Sequence, residues 1–113
     1  MESKAILRYN RQSPYKVRKV LNEVRGCKVE SAVKYLQFSP EKASIAIEKT
    51  IRSAVANLMQ NETAKDVDPD HLKIKEAFVN QGPVMKRFRA ASMGRASRLR
   101  RPSSHLTIVL TTE

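Results

Sequence analysis

Three observations predict an α+β fold with a projecting arm for this chain of 113 residues. Three successive stretches between Ser13 and Leu58 carry apolar residues at helical spacing. Two later stretches, His71 to Val79 and His105 to Thr112, alternate as strands do. Between those two strands runs a segment, Gly82 to Ser104, in which every charged side chain is cationic.

The elements follow in order. Lys4 to Asn10 alternates weakly, with Ile6 on one face and Ala5, Leu7 and Tyr9 on the other, and reads as a short strand. Ser13-Pro14 starts a helix, because serine is a favoured N-cap and proline at the first helical position loses only an N–H that has no helical partner. Val17, Val20, Leu21 and Val24 give this helix its apolar face, and Gly26 stops it. Val29, Ala32, Val33 and Leu36 mark a shorter helix ending near Phe38, after which Ser39-Pro40 is expected to start a third in the same way. That third helix is the longest, with Ala43, Ala46, Ile47, Thr50, Ile51, Ala54, Val55 and Leu58 on one face.

Asn61 to Asp70 reads as an acidic, turn-rich connection. In the strand that follows, the apolar phase moves from Leu72 and Ile74 to Ala77 and Val79, which predicts a bulge near Lys75 or Glu76. The last strand is the clearest: Leu106, Ile108 and Leu110 share one face, Thr107, Val109 and Thr111 the other.

Residues 1–113 form one domain, because a chain of this length builds a single core. Aromatic residues make up 5% of it and tryptophan is absent, so the core must be mostly aliphatic; Tyr9, Tyr15, Tyr35, Phe38, Phe78 and Phe88 include candidates for base stacking, but most are expected in the core or at its rim. The formal net charge of +11 makes the chain self-repelling and draws it to nucleic acid or anionic lipid. The charge is also polarised. From Lys4 to Lys28 the cations meet a single acid, Glu23, and after Glu76 no acid appears before Glu113.

One cysteine, Cys27, excludes an intrachain disulfide and a multi-cysteine zinc site, and fits a reducing compartment. No apolar run has the length of a signal peptide or of a membrane span, so a cytoplasmic protein is expected. His71 and His105 lack acidic or cysteine partners at metal spacing and are expected to be structural; no metal site or cofactor is expected. No phosphate-binding glycine loop, nucleophile elbow or paired-carboxylate spacing appears, and no enzyme is expected.

The segment 82–104 is therefore the feature that needs a partner. Lys86, Arg87, Arg89, Arg95, Arg98, Arg100 and Arg101 lie between two strands, so the segment reads as a β-hairpin folding back near Ser92 to Gly94. With limbs of about eleven residues it would reach roughly 35 Å. Having little apolar content beyond Met85, Phe88, Met93 and Leu99, it holds no core of its own and is expected to order on binding. Arginine dominates, and its planar fork grips phosphate and stacks on bases. Ala90, Ala91, Ser92, Gly94, Ala96 and Ser97 keep the arm slim enough to thread between nucleic-acid helices. A basic, serine-rich run is also the mark of a disordered linker, but linkers seldom return into a sheet as this one does.

Body cations Arg8, Arg11, Lys16, Arg18, Lys19 and Arg25 are further candidates for RNA contact, against the alternative of ordinary solvated surface. Lys16 and Lys42 fall in first helical turns, where the positive end of the helix dipole disfavours a cation. Folding alone would not place them there.

Taken together, Ser13-Pro-Tyr-Lys-Val-Arg, Val24-Arg-Gly, Ser53-Ala-Val-Ala-Asn57, Lys75-Glu-Ala-Phe-Val, Gly82-Pro, Met85-Lys-Arg-Phe, Gly94-Arg-Ala and Ser104-His-Leu-Thr-Ile-Val resemble the bacterial form of large-subunit ribosomal protein twenty-two, over nearly the whole chain. The resemblance implies three helices packed on a small three-stranded antiparallel sheet, with a long hairpin reaching into the subunit. It also implies a non-catalytic protein that binds large-subunit rRNA and supports assembly. The hairpin tip would line the nascent-peptide exit tunnel beside ribosomal protein four of the same subunit. Mapped onto this chain, the tunnel-lining residues are Met85, Lys86, Arg87, Ala90, Ala91, Ser92, Met93, Gly94 and Arg95, and changes in the Met-Lys-Arg motif affect macrolide sensitivity in the family. The chain departs from the family pattern at Ala90-Ala91-Ser92, often Pro-Arg-Ala, at Met93, commonly basic, and at Pro102, also frequently basic.

The competing reading is a DNA-architectural protein that inserts a basic β-arm into a groove. That reading would want a symmetric dimer, for which no surplus apolar face is evident, so a homo-oligomer is not expected. A membrane-surface module would need an apolar helical face that the basic segment lacks.

Overall fold

In the computed structural model, residues 2–60, 72–90, 94 and 96–112 are described. The order of elements is β1 (Glu2–Asn10), α1 (Pro14–Val24), α2 (Val29–Phe38), α3 (Ala43–Met59), β2 (Leu72–Gln81), β3 (Met85–Ala90), β4 (Ala96–Arg101) and β5 (Ser104–Thr112). The fold is α+β, with three helices on one face of an antiparallel sheet ordered β1-β5-β2 and a separate β3-β4 ribbon. The acidic connection 61–70 and His71 lie outside the described residues.

The helices form where apolar spacing predicts. Val17, Val20, Leu21 and Val24 of α1 are all buried, as are Ile47, Ile51, Ala54 and Leu58 of α3. They meet Leu106, Ile108 and Leu110 of the central strand β5, each fully buried. Burying one such side chain is worth about 1.5–3 kcal/mol, so this aliphatic layer is the main source of stability. Gly26 ends α1 with φ +81°, a conformation a β-carbon would disfavour.

Both serine-proline starts differ in detail from expectation. Ser13 is extended and its side chain makes no capping bond, so α1 begins on the fixed φ of Pro14 and on the Val17 N–H donating to the Ser13 carbonyl at 3.2 Å. Helix α3 starts at Ala43, with Lys42 at its N-cap. Ser39 instead accepts the Glu41 N–H on its hydroxyl at 3.3 Å, making a turn ahead of the helix.

Strand β2 carries the predicted bulge, a register shift between Ile74 and Glu76. A second irregularity lies in β1, where Leu7 pairs with Leu106 but Asn10 with Ser104. Two residues, Arg8 and Tyr9, thus face His105 alone, and Tyr9 has φ +57°. Tyr9 therefore leaves the Ala5 and Leu7 face on which simple alternation would put it.

The five aromatic residues whose side chains are described are not the core rim that the sequence suggests. Tyr15 is 80% and Phe38 86% exposed, and Tyr9, Tyr35 and Phe78 are exposed as well. Small and branched aliphatic side chains fill the interior without them.

The arm is shorter in its pairing than the predicted limbs. Its ladder runs six pairs, from Met85 opposite Arg101 to Ala90 opposite Ala96, a length of roughly 17 Å at strand spacing. Pro83 and Pro102 cause the break from the main sheet, since neither has an N–H to donate. Here residues 82–84 on one strand face only 102–103 on the other. The break is bridged by the Gly82 N–H donating to the Ser103 carbonyl at 2.9 Å and by Ser103 Oγ donating to the Pro83 carbonyl at 2.6 Å. Of the residues expected to fold back, Gly94 has φ +72°, and Ser92 and Met93 lie outside the described residues. Overall the molecule measures 65 × 26 × 16 Å, with a radius of gyration of 17.2 Å against about 13 Å for a compact chain of this length.

Candidate nucleic-acid interface

At the root of the arm, the N-terminal turns of α1 and α3 and the first pair of the ribbon enclose an open cleft of about 990 Å³. Its walls bring together Arg11, Lys16, Lys19, Lys42 and Arg101, with Met85, Tyr15 and one acid, Glu41. Three of the body cations singled out in the sequence thus meet one from the arm. Lys42, which in sequence stands out only by its place at a helix start, becomes part of the cleft through tertiary structure. The ion pairs between described residues lie elsewhere: Lys34 with Glu30, Arg52 with Glu48, and Lys75 with Glu2.

Two helix N-termini add to this positive field. Neither α1 nor α3 has an acid in its first turn, so their unpaired N–H groups and dipoles reinforce the lysines around them. Mutual repulsion in the cleft is relieved by an anion with several oxygens in reach of different cations. A phosphodiester backbone provides that.

The remaining body candidates fall in other places. Arg8 is exposed on β1. Arg18 Nη2 donates to the Val79 carbonyl at 2.7 Å and Arg25 Nε to the Ala77 carbonyl at 3.0 Å. With the Ile74 N–H donating to the Cys27 carbonyl at 3.0 Å, these two guanidinium groups cover the outer edge of β2. An edge strand left bare would invite pairing with another chain. No local sequence signal reports the two arginine contacts, which join residues 61 and 52 positions apart.

On the arm, Lys86, Arg100 and Arg101 are exposed. The register sets Lys86 opposite Arg100, Arg87 opposite Leu99, Phe88 opposite Arg98 and Arg89 opposite Ser97, which distributes cationic positions along both strands. Of the nine residues mapped to a tunnel wall, the five described ones are spread along the ribbon. Met85 begins the ribbon at the cleft, five steps or about 17 Å from Ala90. Gly94 lies beyond the last pair, while Ala91, Ser92, Met93 and Arg95 are outside the described residues.

Among the described residues no group of three or more His, Cys, Asp or Glu could hold a metal ion, and no helix is long and apolar enough to cross a membrane.

Comparison with known proteins adds to this geometry. The family described as ribosomal protein L22p/L17e matches residues 5–111. The chain is 50% identical over 110 residues to the large ribosomal subunit protein uL22 of Syntrophotalea carbinolica, covering 97% of both. It is 44% identical over 109 residues to the protein of that name from Trichodesmium erythraeum, covering 96% of this chain and 89% of the relative. Identity to the Chloroflexus aggregans protein of the same name is 44% over 110 residues, covering 97% and 95%.

Proposed function

The chain belongs to the ribosomal protein L22p/L17e family, and from that premise we propose that it is a structural component of the large ribosomal subunit in the cytoplasm, binding large-subunit rRNA. The observation that carries this reading is the cleft in which Arg11, Lys16, Lys19, Lys42 and Arg101 meet at the root of a ribbon whose charges are all cationic. The cleft grips phosphates at the body, and the ribbon neutralises further phosphates along its length. Two strands without a core of their own are slim enough to lie between packed RNA helices. Binding there offsets the repulsion among the cations, so arm and RNA order each other during assembly.

In this reading Met85, Lys86, Arg87 and the apex from Ala90 to Arg95 line the nascent-peptide exit tunnel beside protein four of the same subunit, and the apex meets the nascent polypeptide. Met85, Lys86 and Arg87 also set the register of the ribbon at its first pairs. The chain works by shape and charge, and no catalytic step is assigned to it.

Co-sedimentation tests the proposal. The tagged chain should remain with large subunits through a high-salt wash, because its arm is enclosed by RNA. Recovery with the nucleoid instead would overturn it.

A further inference from the structure

Tyr9 occupies a conformation that tyrosine rarely adopts, on the side of the molecule where the arm begins. Its φ of +57° lies in the left-handed region, in a two-against-one bulge where glycine is the usual occupant. Such a conformation persists only where its surroundings hold it. Here the Tyr9 N–H donates to His105 Nδ1 at 3.0 Å, and the two rings meet edge to face, with centroids 4.9 Å apart at 90°.

The result is a presented ring. Tyr9 is 66% exposed although it is anchored through its backbone and braced by a histidine. A bulge re-aims the side chain it carries, and this one takes the ring out of the strand's alternation. The neighbourhood is cationic: Arg8 precedes the ring and Arg11 follows it into the root cleft. On the other side, His105 Cε1 lies 3.3 Å from where a β-carbon on Gly82 would stand, which puts the pair against the start of the arm. The helix-free face of the sheet continues away from it through Phe78, paired with Thr107, which is paired with Ile6; Phe78 and Ile6 are both exposed.

We propose that the braced ring of Tyr9 is a stacking platform for an unpaired nucleobase of the bound RNA, with Arg8 and Arg11 holding the flanking phosphates. The proposal rests on the RNA-binding reading and deepens it, since phosphate contacts alone ask for no presented aromatic. Single-stranded RNA is recognised by splaying bases onto aromatic rings set among cations, and an open sheet face is one surface that does this. The tyrosine hydroxyl is not required, and the ring is.

The test uses the full chain, a short single-stranded oligoadenylate and the same backbone made abasic, at one salt concentration. Wild type should bind the oligoadenylate roughly 5- to 150-fold more tightly than the abasic strand, the range expected for one stacked base. Tyr9→Phe should keep that ratio. Tyr9→Gly should abolish it while melting at the same temperature or higher, because glycine takes the left-handed conformation without strain. The Tyr9 ring protons should move upfield on binding oligoadenylate and stay in place with the abasic strand. Equal wild-type affinity for both strands, or a Tyr9→Gly chain that keeps the preference, overturns the platform and leaves phosphate binding intact. Failure of wild type to bind either strand at low salt overturns the RNA reading itself.

Discussion

Ser103 Oγ donates a hydrogen bond to the Pro83 carbonyl oxygen at 2.6 Å, joining the two strands at the level where two prolines interrupt the ladder. The direction of the arm is thus set by a hydroxyl and the adjacent Gly82 N–H bond in place of continuous pairing.

Gly82→Ala should disturb this junction. Its β-carbon would stand 2.6 Å from Ser103 Oγ and 3.2 Å from the Ser103 carbonyl carbon, so the hydroxyl must leave Pro83 and the backbone must shift. A loss of about 1–3 kcal/mol is expected in urea unfolding. Ser103→Ala alone should cost about 1 kcal/mol. The double variant should cost less than the sum, because the closest clash has gone with the hydroxyl.

Arg18 and Arg25 are expected to serve the fold as well as any RNA. Replacing either with alanine removes a bond to a β2 carbonyl and uncovers the strand edge. Each should lower stability by about 1 kcal/mol and increase self-association in light scattering. Lys19→Ala, on the cleft wall, should leave stability unchanged while weakening RNA binding.

Core truncation should be costly for so small a domain. Ile51 is fully buried in α3, and Ile51→Ala should destabilise by about 2–5 kcal/mol, a large share of the 5–15 kcal/mol typical of a domain. Thermal unfolding by circular dichroism measures it.

These residues also show which parts of the structure were legible in the sequence. Val17 to Val24 and Leu106 to Leu110 announce their faces because burial repeats with the period of the backbone, and the β2 bulge was visible as a change of phase. The helix start at Ala43 was misplaced because Ser39-Pro40 favours a turn as well as a cap. Arg18 and Arg25 gave no sign of their bonds to β2, which depend on how distant segments pack. Within the site, the cations themselves were legible. Their sorting into a cleft, a strand edge and a ribbon was not, nor was the bulge that presents Tyr9.

The Glu2–Lys75 pair gives a small pH signature. The hydrogen bond and charge of Lys75 hold the Glu2 carboxyl below its ordinary range, and Glu2 raises the Lys75 ammonium above its own. A lowered carboxyl supports the fold above its unfolded pKa and loses that support as pH falls through the folded value. A raised lysine supports it below its unfolded pKa and loses that support as pH rises through the folded value. Because both groups are exposed, the effect should appear in site titration by NMR and hardly in melting temperature. Lys75→Ala should move the Glu2 midpoint upward.

The central claim is that this cation field binds RNA through phosphates, and the salt dependence of affinity for large-subunit rRNA tests it most directly. With six to ten phosphates engaged, affinity should fall by roughly 10³- to 10⁵-fold between 50 and 200 mM salt. Neutralising Lys16, Lys19, Lys42 and Arg101 together should flatten the slope by about four phosphates' worth. A log–log plot that is flat for the unmodified chain would contradict the account.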